Sequence, residues 1–188
     1  MLSAVIHNTD CFMASVPKST RKKYGQFFTN MTTAKFMAAL FDFDLSKSKL
    51  RILDAGAGSG ILSVAVIDKL VNDGYKGEIH LTCYETDEQV LSLLKTNLDL
   101  IRSKYGVYYE IIQANYITSQ TFDNGSLFDD KNKVYDYIIG NPPYLKISKD
   151  ANEANMMPSV CYGAPNLYFL FWAMGVHNLK HDAELVYI

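Results

Sequence analysis

Asn141, Pro142, Pro143 and Tyr144 are the four consecutive residues that offer the clearest chemistry in this sequence. Adjacent prolines remove two backbone N–H donors and disfavour helical geometry in the residue before each, so this stretch is a stiff, extended loop. The carboxamide oxygen of Asn141 and the carbonyl oxygen of Pro142 could converge on one amino group, beside the aromatic face of Tyr144. An amine held in this way is prepared for attack on an electrophile. For this stretch alone, an ordinary Asn-Pro turn remains the alternative.

A second chemical motif lies upstream in residues 54–60, which read Asp-Ala-Gly-Ala-Gly-Ser-Gly. It follows a short strand pattern, residues 50–54, and precedes a helical pattern, as at the opening of a nucleotide-binding unit. Glycines let the backbone turn sharply and approach a ligand closely. Ile61 stands where the dinucleotide fingerprint has its third glycine, and the Gly-Lys-Ser/Thr of the phosphate-binding loop is absent. The motif therefore predicts a nucleotide-type site that is not optimised for phosphate.

Two further polar positions follow predicted strands. Glu85 ends the strand predicted over residues 78–84, where an acid can hold the two hydroxyls of a ribose. Asn115 follows the strand predicted over residues 107–112, and its amide could hydrogen-bond the edge of an adenine while Tyr116 packs on the ring. An ordinary surface glutamate and an ordinary turn are the structural alternatives for these two positions.

The elements that must position these residues alternate along the chain. Helical patterns over residues 87–102 and 166–179 flank the central strand, residues 134–139, and a last strand opens at residues 183–188. This alternation predicts an α/β fold with a parallel sheet and helices on both faces. Ligands of such sheets bind at the carboxyl ends of the strands. Four residues follow strand ends: Asp54, Glu85, Asn115 and Asn141. One ligand with an adenine, a ribose and a zwitterionic tail could contact all four, and S-adenosylmethionine fits this description.

Composition sets broad limits on function. The chain has 188 residues and a formal net charge of -2, so it lacks the basic character of dedicated nucleic-acid binders, apart from a short basic cluster at residues 18–23. Three cysteines without metal-ligand spacing predict reduced thiols, no metal site and a cytoplasmic location. We find no signal-peptide pattern, and the longest apolar run, residues 167–176, is too short to span a membrane.

Three motifs together resemble a known enzyme family. Residues 54–60 resemble the cofactor motif of class I methyltransferases, and residues 141–144 resemble the catalytic motif of those that methylate exocyclic or amide nitrogens. Residues 24–29, Tyr-Gly-Gln-Phe-Phe-Thr, resemble the N-terminal motif of gamma-class adenine-N6 DNA methyltransferases of restriction–modification systems. The order of the motifs is that of the gamma class, and the resemblance covers roughly residues 18–188.

The resemblance implies a Rossmann-like class I methyltransferase fold, truncated before its last strands. Residues 1–23 would be an N-terminal extension, and residues 24–188 an incomplete catalytic domain that binds S-adenosylmethionine. The family usually has an acid where Asn115 stands and often a proline where Asn30 stands. The cofactor-binding residues implied are Gln26, Thr29, Asp54, Gly56, Gly58, Gly60, Glu85, Asn115 and Tyr116, and the catalytic ones are Asn141, Pro142, Pro143 and Tyr144.

The implied reaction is methyl transfer to N6 of an adenine flipped out of double-stranded DNA. Sequence recognition would come from a target recognition domain outside this chain, which by itself should bind DNA weakly. An exposed C-terminal strand edge could associate with other chains, and the loop after residue 144 could act as a lid. Three alternatives remain: a protein-glutamine N5-methyltransferase acting on a translation factor, a non-catalytic cofactor-binding module, and an unrelated nucleotide-binding domain.

Overall fold

A single parallel sheet of five strands forms the centre of the computed structural model, which describes residues 1–19, 28–122, 133–161 and 163–188. Across the sheet the strands run in the order β3-β2-β1-β4-β5, and each neighbouring pair is parallel. The predicted α/β class, with a parallel sheet and helices on both faces, is confirmed. The strands are β1 (Lys49–Asp54), β2 (Glu78–Tyr84), β3 (Tyr108–Ile112), β4 (Tyr135–Gly140) and β5 (Leu179–Tyr187).

The strand order reverses between β1 and β4, because the chain leaves β1 for β2 and β3 on one side and returns to β4 and β5 on the other. Asp54 pairs in register with Cys83 of β2 and with Ile139 of β4, so these strands end level with one another. A reversal of this kind opens a crevice at the carboxyl edge of the sheet, where ligands of α/β proteins bind. The topology thus brings the ends of four strands towards one place.

Helices cover both faces of the sheet. Alternate residues of β1 point to opposite faces, with Ile52 in the core under the first four helices and Leu53 in the core under the last two. Burial on both faces explains why β4 is almost continuously apolar. The helices are α1 (Leu2–Ser15), α2 (Met31–Ala39), α3 (Ile61–Asn72), α4 (Glu88–Tyr105), α5 (Asn152–Met156) and α6 (Leu167–Asn178).

Helix α1 was not predicted from the sequence, which gave no element for residues 1–17. Its buried residues, Leu2, Val5 and Thr9, lie along one side of the helix, and they pack in the core beside α3 and α4. Asn8 donates a hydrogen bond of 2.8 Å to the side chain of Asn97 on α4. The helix is therefore part of the packed structure.

The boundary between α6 and β5 differs from the prediction. The strand begins at Leu179, directly after the helix, whereas the sequence predicted a strand from residue 183. Residues 180–182 are polar, the pairing with β4 is irregular here, and Asp182 has a φ of 56°. Regular pairing with β4 resumes only at Glu184, which explains why the pattern was legible only in the second half of the strand.

The stretch after Tyr144, predicted as a loop, contains the short helix α5 and closes on itself. Lys146 and Asn166 form an antiparallel bridge, and the backbone N–H of Ile147 donates to the carbonyl of Pro165 at 3.0 Å. A lid role for this segment stays a prediction. None of the described helices is both long and apolar enough to cross a membrane.

A buried ionic cluster lies at the opposite, amino edge of the sheet. Asp136, at the start of β4, is only 2% exposed. Burial by itself raises the pKa of Asp136, but the hydrogen bonds it accepts outweigh that effect and hold the pKa below its ordinary value. The donors are the backbone N–H of Arg51 at 2.9 Å, Nζ of Lys180 at 2.9 Å and Nζ of Lys47 at 3.0 Å.

Candidate functional site

The loop after β4 carries Asn141 to the carboxyl edge of the sheet. Asn141 is half-buried and Pro142 is buried, whereas Tyr144 is 65% exposed. The side-chain amide of Asn141 donates to Oγ1 of Thr29 at 3.4 Å, although 112 residues separate the two in sequence. The two prolines keep this loop extended, so the position of Asn141 is set by the end of β4. Thr29, predicted from residues 24–29, therefore lies at the candidate catalytic loop.

The glycine-rich loop lies beside the same residues. Gly58 and Gly60 have φ values of 53° and 77°, which favour glycine, and Gly60 immediately precedes α3. A Cβ atom at Gly58 would come within 3.3 Å of the ring of Phe28. Phe28 thus touches the glycine loop while its neighbour Thr29 touches Asn141, and this adjacent pair joins the two motifs at one edge of the sheet.

Glu85 binds the glycine loop from the end of β2. Its Oε2 accepts a hydrogen bond of 2.9 Å from the backbone N–H of Gly58. Its Oε1 accepts two more, from the backbone N–H groups of Thr86 at 2.7 Å and Asp87 at 2.8 Å. A carboxylate has about four acceptor sites, so these three hydrogen bonds orient the side chain and leave about one site for a ribose hydroxyl. The predicted position for ribose recognition is therefore next to the glycines.

Asp54 lies beneath the loop. It is fully buried, and its Oδ2 accepts a hydrogen bond of 2.7 Å from Ser63. Within the described part of the chain, its Oδ1 has no hydrogen-bond partner. Burial raises the pKa of Asp54 to about 7, against the hydrogen bond from Ser63. Asp54 supports the loop from below and presents no surface to a ligand. A Cβ atom added at Gly56 would lie 3.8 Å from the ring of Phe171.

Asn115 and Tyr116 lie at the end of β3, with different surroundings. Asn115 is half-buried, and its Nδ2 donates to Oε1 of Glu153 on α5 at 2.8 Å. Tyr116 is 1% exposed, its ring packs between Tyr84 and Phe171, and its hydroxyl donates to Asn178 at 2.7 Å. The ring of Tyr116 therefore has no free face, and it supports the strand end from inside.

Tyr144 does not stand alone on the surface. Its ring stacks on Tyr168 of α6, with centroids 5.2 Å apart and an interplanar angle of 15°. Tyr168 was not predicted as a site residue, because it lies within the apolar run of residues 167–176 and belongs to no motif. One face of Tyr144 is therefore covered, and the exposure of the residue leaves the other for a planar ligand.

Direct contacts thus link four predicted site residues in two pairs, Thr29 with Asn141 and Glu85 with Gly58. Phe28, which precedes Thr29 and lies against Gly58, connects the two pairs. Asn115 follows β3, which is separated in the sheet from β4 and Asn141 by two strands, β2 and β1. Gln26, with the rest of residues 20–27, lies outside the described residues. The described residues contain no group of three or more His, Cys, Asp or Glu side chains placed to hold a metal ion.

A family model described as N-6 DNA Methylase matches residues 9–167. The chain belongs to the N-6 DNA methylase family. This match confirms the resemblance drawn from the three motifs, and it begins within α1, ahead of the first of them.

Curated relatives of this N-6 DNA methylase chain include type II methyltransferases. The chain is 33% identical over 179 residues to M.PstI of Providencia stuartii, covering 93% of this chain and 34% of that protein. It is 30% identical over 172 residues to M.BsuBI of Bacillus subtilis, covering 89% and 34%. A release factor glutamine methyltransferase of Fusobacterium nucleatum subsp. nucleatum is 33% identical over 134 residues, covering 71% and 32%. The chain spans about a third of the length of these relatives.

Solved structures agree on the fold of the methylase chain. A Listeria monocytogenes structure described as a class I S-adenosylmethionine-dependent methyltransferase superposes with a TM-score of 0.67 and 20% identity, over 87% of this chain and 46% of that one. The methyltransferase subunit of a Streptococcus thermophilus type I restriction–modification system gives 0.64 and 20%, over 86% and 34%. The fold is that of the Rossmann-like class I methyltransferases, as predicted.

Proposed function

We propose that this chain is the catalytic part of an enzyme that transfers a methyl group from S-adenosylmethionine to N6 of adenine in DNA. The observation that carries the proposal is the pair Phe28 and Thr29, which contacts the glycine loop through one residue and Asn141 through the next. A cofactor cradle and an amine-binding loop then share one crevice at the carboxyl edge of the sheet. Membership of the N-6 DNA methylase family supports the same reaction.

The glycine loop fits the cofactor. Gly58 and Gly60 turn the loop through left-handed φ values, and the oriented carboxylate of Glu85 keeps about one acceptor site for a ribose hydroxyl. When bound, S-adenosylmethionine supplies an electrophilic methyl group on a sulfonium. Thr29 would lie between the methionine part and the catalytic loop. We carry Gln26 forward from the resemblance only.

Asn141 and Pro142 would act on the target amine. The Asn141 carboxamide and the Pro142 carbonyl accept hydrogen bonds from the amino group and draw its lone pair out of conjugation with the ring. Tyr144 stacks on the base with the face that Tyr168 does not cover. These groups orient the nitrogen towards the methyl group, and such positioning supplies much of the rate in a two-substrate reaction.

DNA recognition requires more than these residues supply. With a net charge of -2, the chain lacks the excess of basic side chains that gives proteins affinity for the phosphate backbone. We propose that a target recognition domain outside these 188 residues binds double-stranded DNA and that the protein is cytoplasmic. Strand β5 lies at the edge of the sheet, where association with another chain remains a further proposal.

The experiment that tests the proposal uses the full-length protein and S-adenosylmethionine labelled on its methyl group. It is incubated separately with DNA and with a peptide-chain release factor, because a glutamine methyltransferase also matches this chain. We expect label in DNA, recovered as N6-methyladenine after digestion. Label in glutamine of the release factor, with none in DNA, would overturn the proposal in favour of the second candidate.

A further inference from the structure

We infer that Glu153 on α5 recognises the amino group of the cofactor's adenine, a task that Asn115 is unable to perform. The inference rests on the proposed function, since it requires S-adenosylmethionine in the crevice. It assigns a specificity-determining role to a residue that no sequence motif contains.

The acceptor of Asn115 is already occupied. Its Oδ1 accepts hydrogen bonds from the backbone N–H groups of Ile117 at 2.9 Å and Thr118 at 3.2 Å. A carboxamide oxygen has two lone pairs, so both are used within the turn that follows β3. Asn115 can therefore offer a ligand only its Nδ2 hydrogens, whereas an adenine amino group needs an acceptor.

Glu153 brings the missing acceptor to the same point. Its Oε1 accepts from Nδ2 of Asn115 at 2.8 Å, and this contact uses only one of the carboxylate's acceptor sites. A carboxylate from α5 thus lies against Asn115 at the end of β3.

Helix α5 holds the carboxylate in place. Ala154 and Met157, on either side of the helix end, are 3% and 0% exposed, and α5 packs against α6. The thiol of Cys161 donates to the carbonyl of Ala154 at 3.7 Å. Glu153 itself is only half-buried, so a ligand at the end of β3 can reach it.

The two side chains form a donor beside an acceptor. The pairing edge of adenine presents the N6 amino donor next to the N1 acceptor, and Glu153 with the second Nδ2 hydrogen of Asn115 complements it. Hypoxanthine reverses both groups, with an oxygen at position 6 and a hydrogen on N1. The pair should therefore select adenine over hypoxanthine.

Calorimetric binding to the full-length protein tests this selectivity with two probes: S-adenosylhomocysteine and its hypoxanthine counterpart, S-inosylhomocysteine. We expect the wild-type protein to bind the adenine form at least about tenfold more tightly, since hydrogen bonds to charged groups have that worth. Glu153→Gln should weaken the adenine form about tenfold and change the hypoxanthine form less than about twofold. Glu78→Gln, an exposed acid at the amino edge, is the matched control and should change neither affinity.

Each outcome has a distinct meaning. If Glu153 has a purely structural role, Glu153→Gln should weaken the binding of both probes equally. That result would overturn this inference and leave the proposed function standing. If the wild-type protein binds neither probe, the proposed function fails and the inference fails with it. If Glu153→Gln does not fold, Glu153→Asp keeps the charge on a shorter side chain, and the adenine preference should again fall.

Discussion

Asp54 and Asp136 lie on neighbouring strands and are both buried, at 0% and 2% exposure, but at opposite edges of the sheet. Asp136 is neutralised by two lysines and a backbone N–H, and its pKa is lowered. Asp54 accepts a hydrogen bond from the hydroxyl of Ser63 and, within the described chain, its other oxygen has no partner. Burial raises its pKa to about 7.

The two edges of the sheet therefore differ in how they accommodate a buried carboxyl group. At the amino edge, charge is buried together with its partners, and Asp136 of β4 is hydrogen-bonded to β1 through Arg51 and to β5 through Lys180. At the carboxyl edge, the chain buries a carboxyl at a cost in stability, turns through left-handed glycines and leaves an aromatic ring exposed. Departures of this kind from good packing are characteristic of functional sites. The comparison predicts that substitutions at one edge change activity and those at the other change stability.

The largest effect should come from Asn141→Ala. Removing an acceptor from the reacting amine should lower methyl transfer by about 10³-fold, within the range seen when a single positioned polar group is lost. Cofactor affinity, measured by calorimetry, should stay within about twofold, because the glycine loop is intact. Asn72→Ala, an exposed residue at the far end of α3, is the control. Unchanged transfer by Asn141→Ala would remove the catalytic role of this loop.

The pH dependence of stability should reveal Asp54. Its folded pKa, about 7, lies above the unfolded value, so the folded protein binds an extra proton between about pH 4 and pH 7. The contribution of Asp54 to stability therefore declines as the pH rises through this window, by at most about 4 kcal/mol. Urea unfolding of the wild type and of Asp54→Asn across this range measures it.

The profile of Asp54→Asn should be flatter between pH 4 and pH 7 than that of the wild type, and coincident profiles would contradict the raised pKa. Asp136 has the opposite sign. Because its folded pKa is lowered, its contribution is fully present above the unfolded value and is lost as the pH falls through the folded one. The two edges should thus respond to pH in different windows.

Asp136→Ala should destabilise the fold by about 3 kcal/mol, because it leaves two lysines near a buried site without their counter-charge. The side chains of Lys47 and Lys180 are 38% and 35% exposed and can partly hydrate, which places the loss at the lower end of the usual range. Chemical denaturation measures the change. Calorimetry on the folded variant should show that its cofactor affinity is retained. A loss of affinity as large as the loss of stability would contradict the separation of roles between the two edges.

Tyr168→Ala should have the smallest effect. Losing the stacked partner of Tyr144 removes about 1 kcal/mol of aromatic contact, so methyl transfer should fall about fivefold while the melting temperature changes little. Tyr108→Ala removes an exposed tyrosine that stacks on His80 at the amino end of β3, and it serves as the control. Equal activity losses in the two variants would show that the stack under Tyr144 has no special role.

Much of this architecture is legible from the sequence because strand, turn and helix signals alternate regularly. The glycine loop, Glu85 and Asn141 were predicted at strand ends, and parallel strands necessarily bring such ends to one edge. Glu153 and Tyr168 were not found, since their positions depend on how residues 145–166 pack after folding. Tyr116 illustrates the same limit: its place at the end of β3 was correct, but whether its ring faces ligand or core is decided by Tyr84 and Phe171.

The contact between Phe28 and Gly58 has a consequence for engineering the enzyme. A methyl group at position 58 would lie 3.3 Å from the ring of Phe28, so this ring, beside Thr29, would have to move by a few tenths of an ångström. The glycine loop and the loop that carries Asn141 are thus connected through two adjacent side chains, Phe28 and Thr29. A substitution at position 58 should therefore be combined with a smaller side chain at residue 28, so that Thr29 and Asn141 keep their contact.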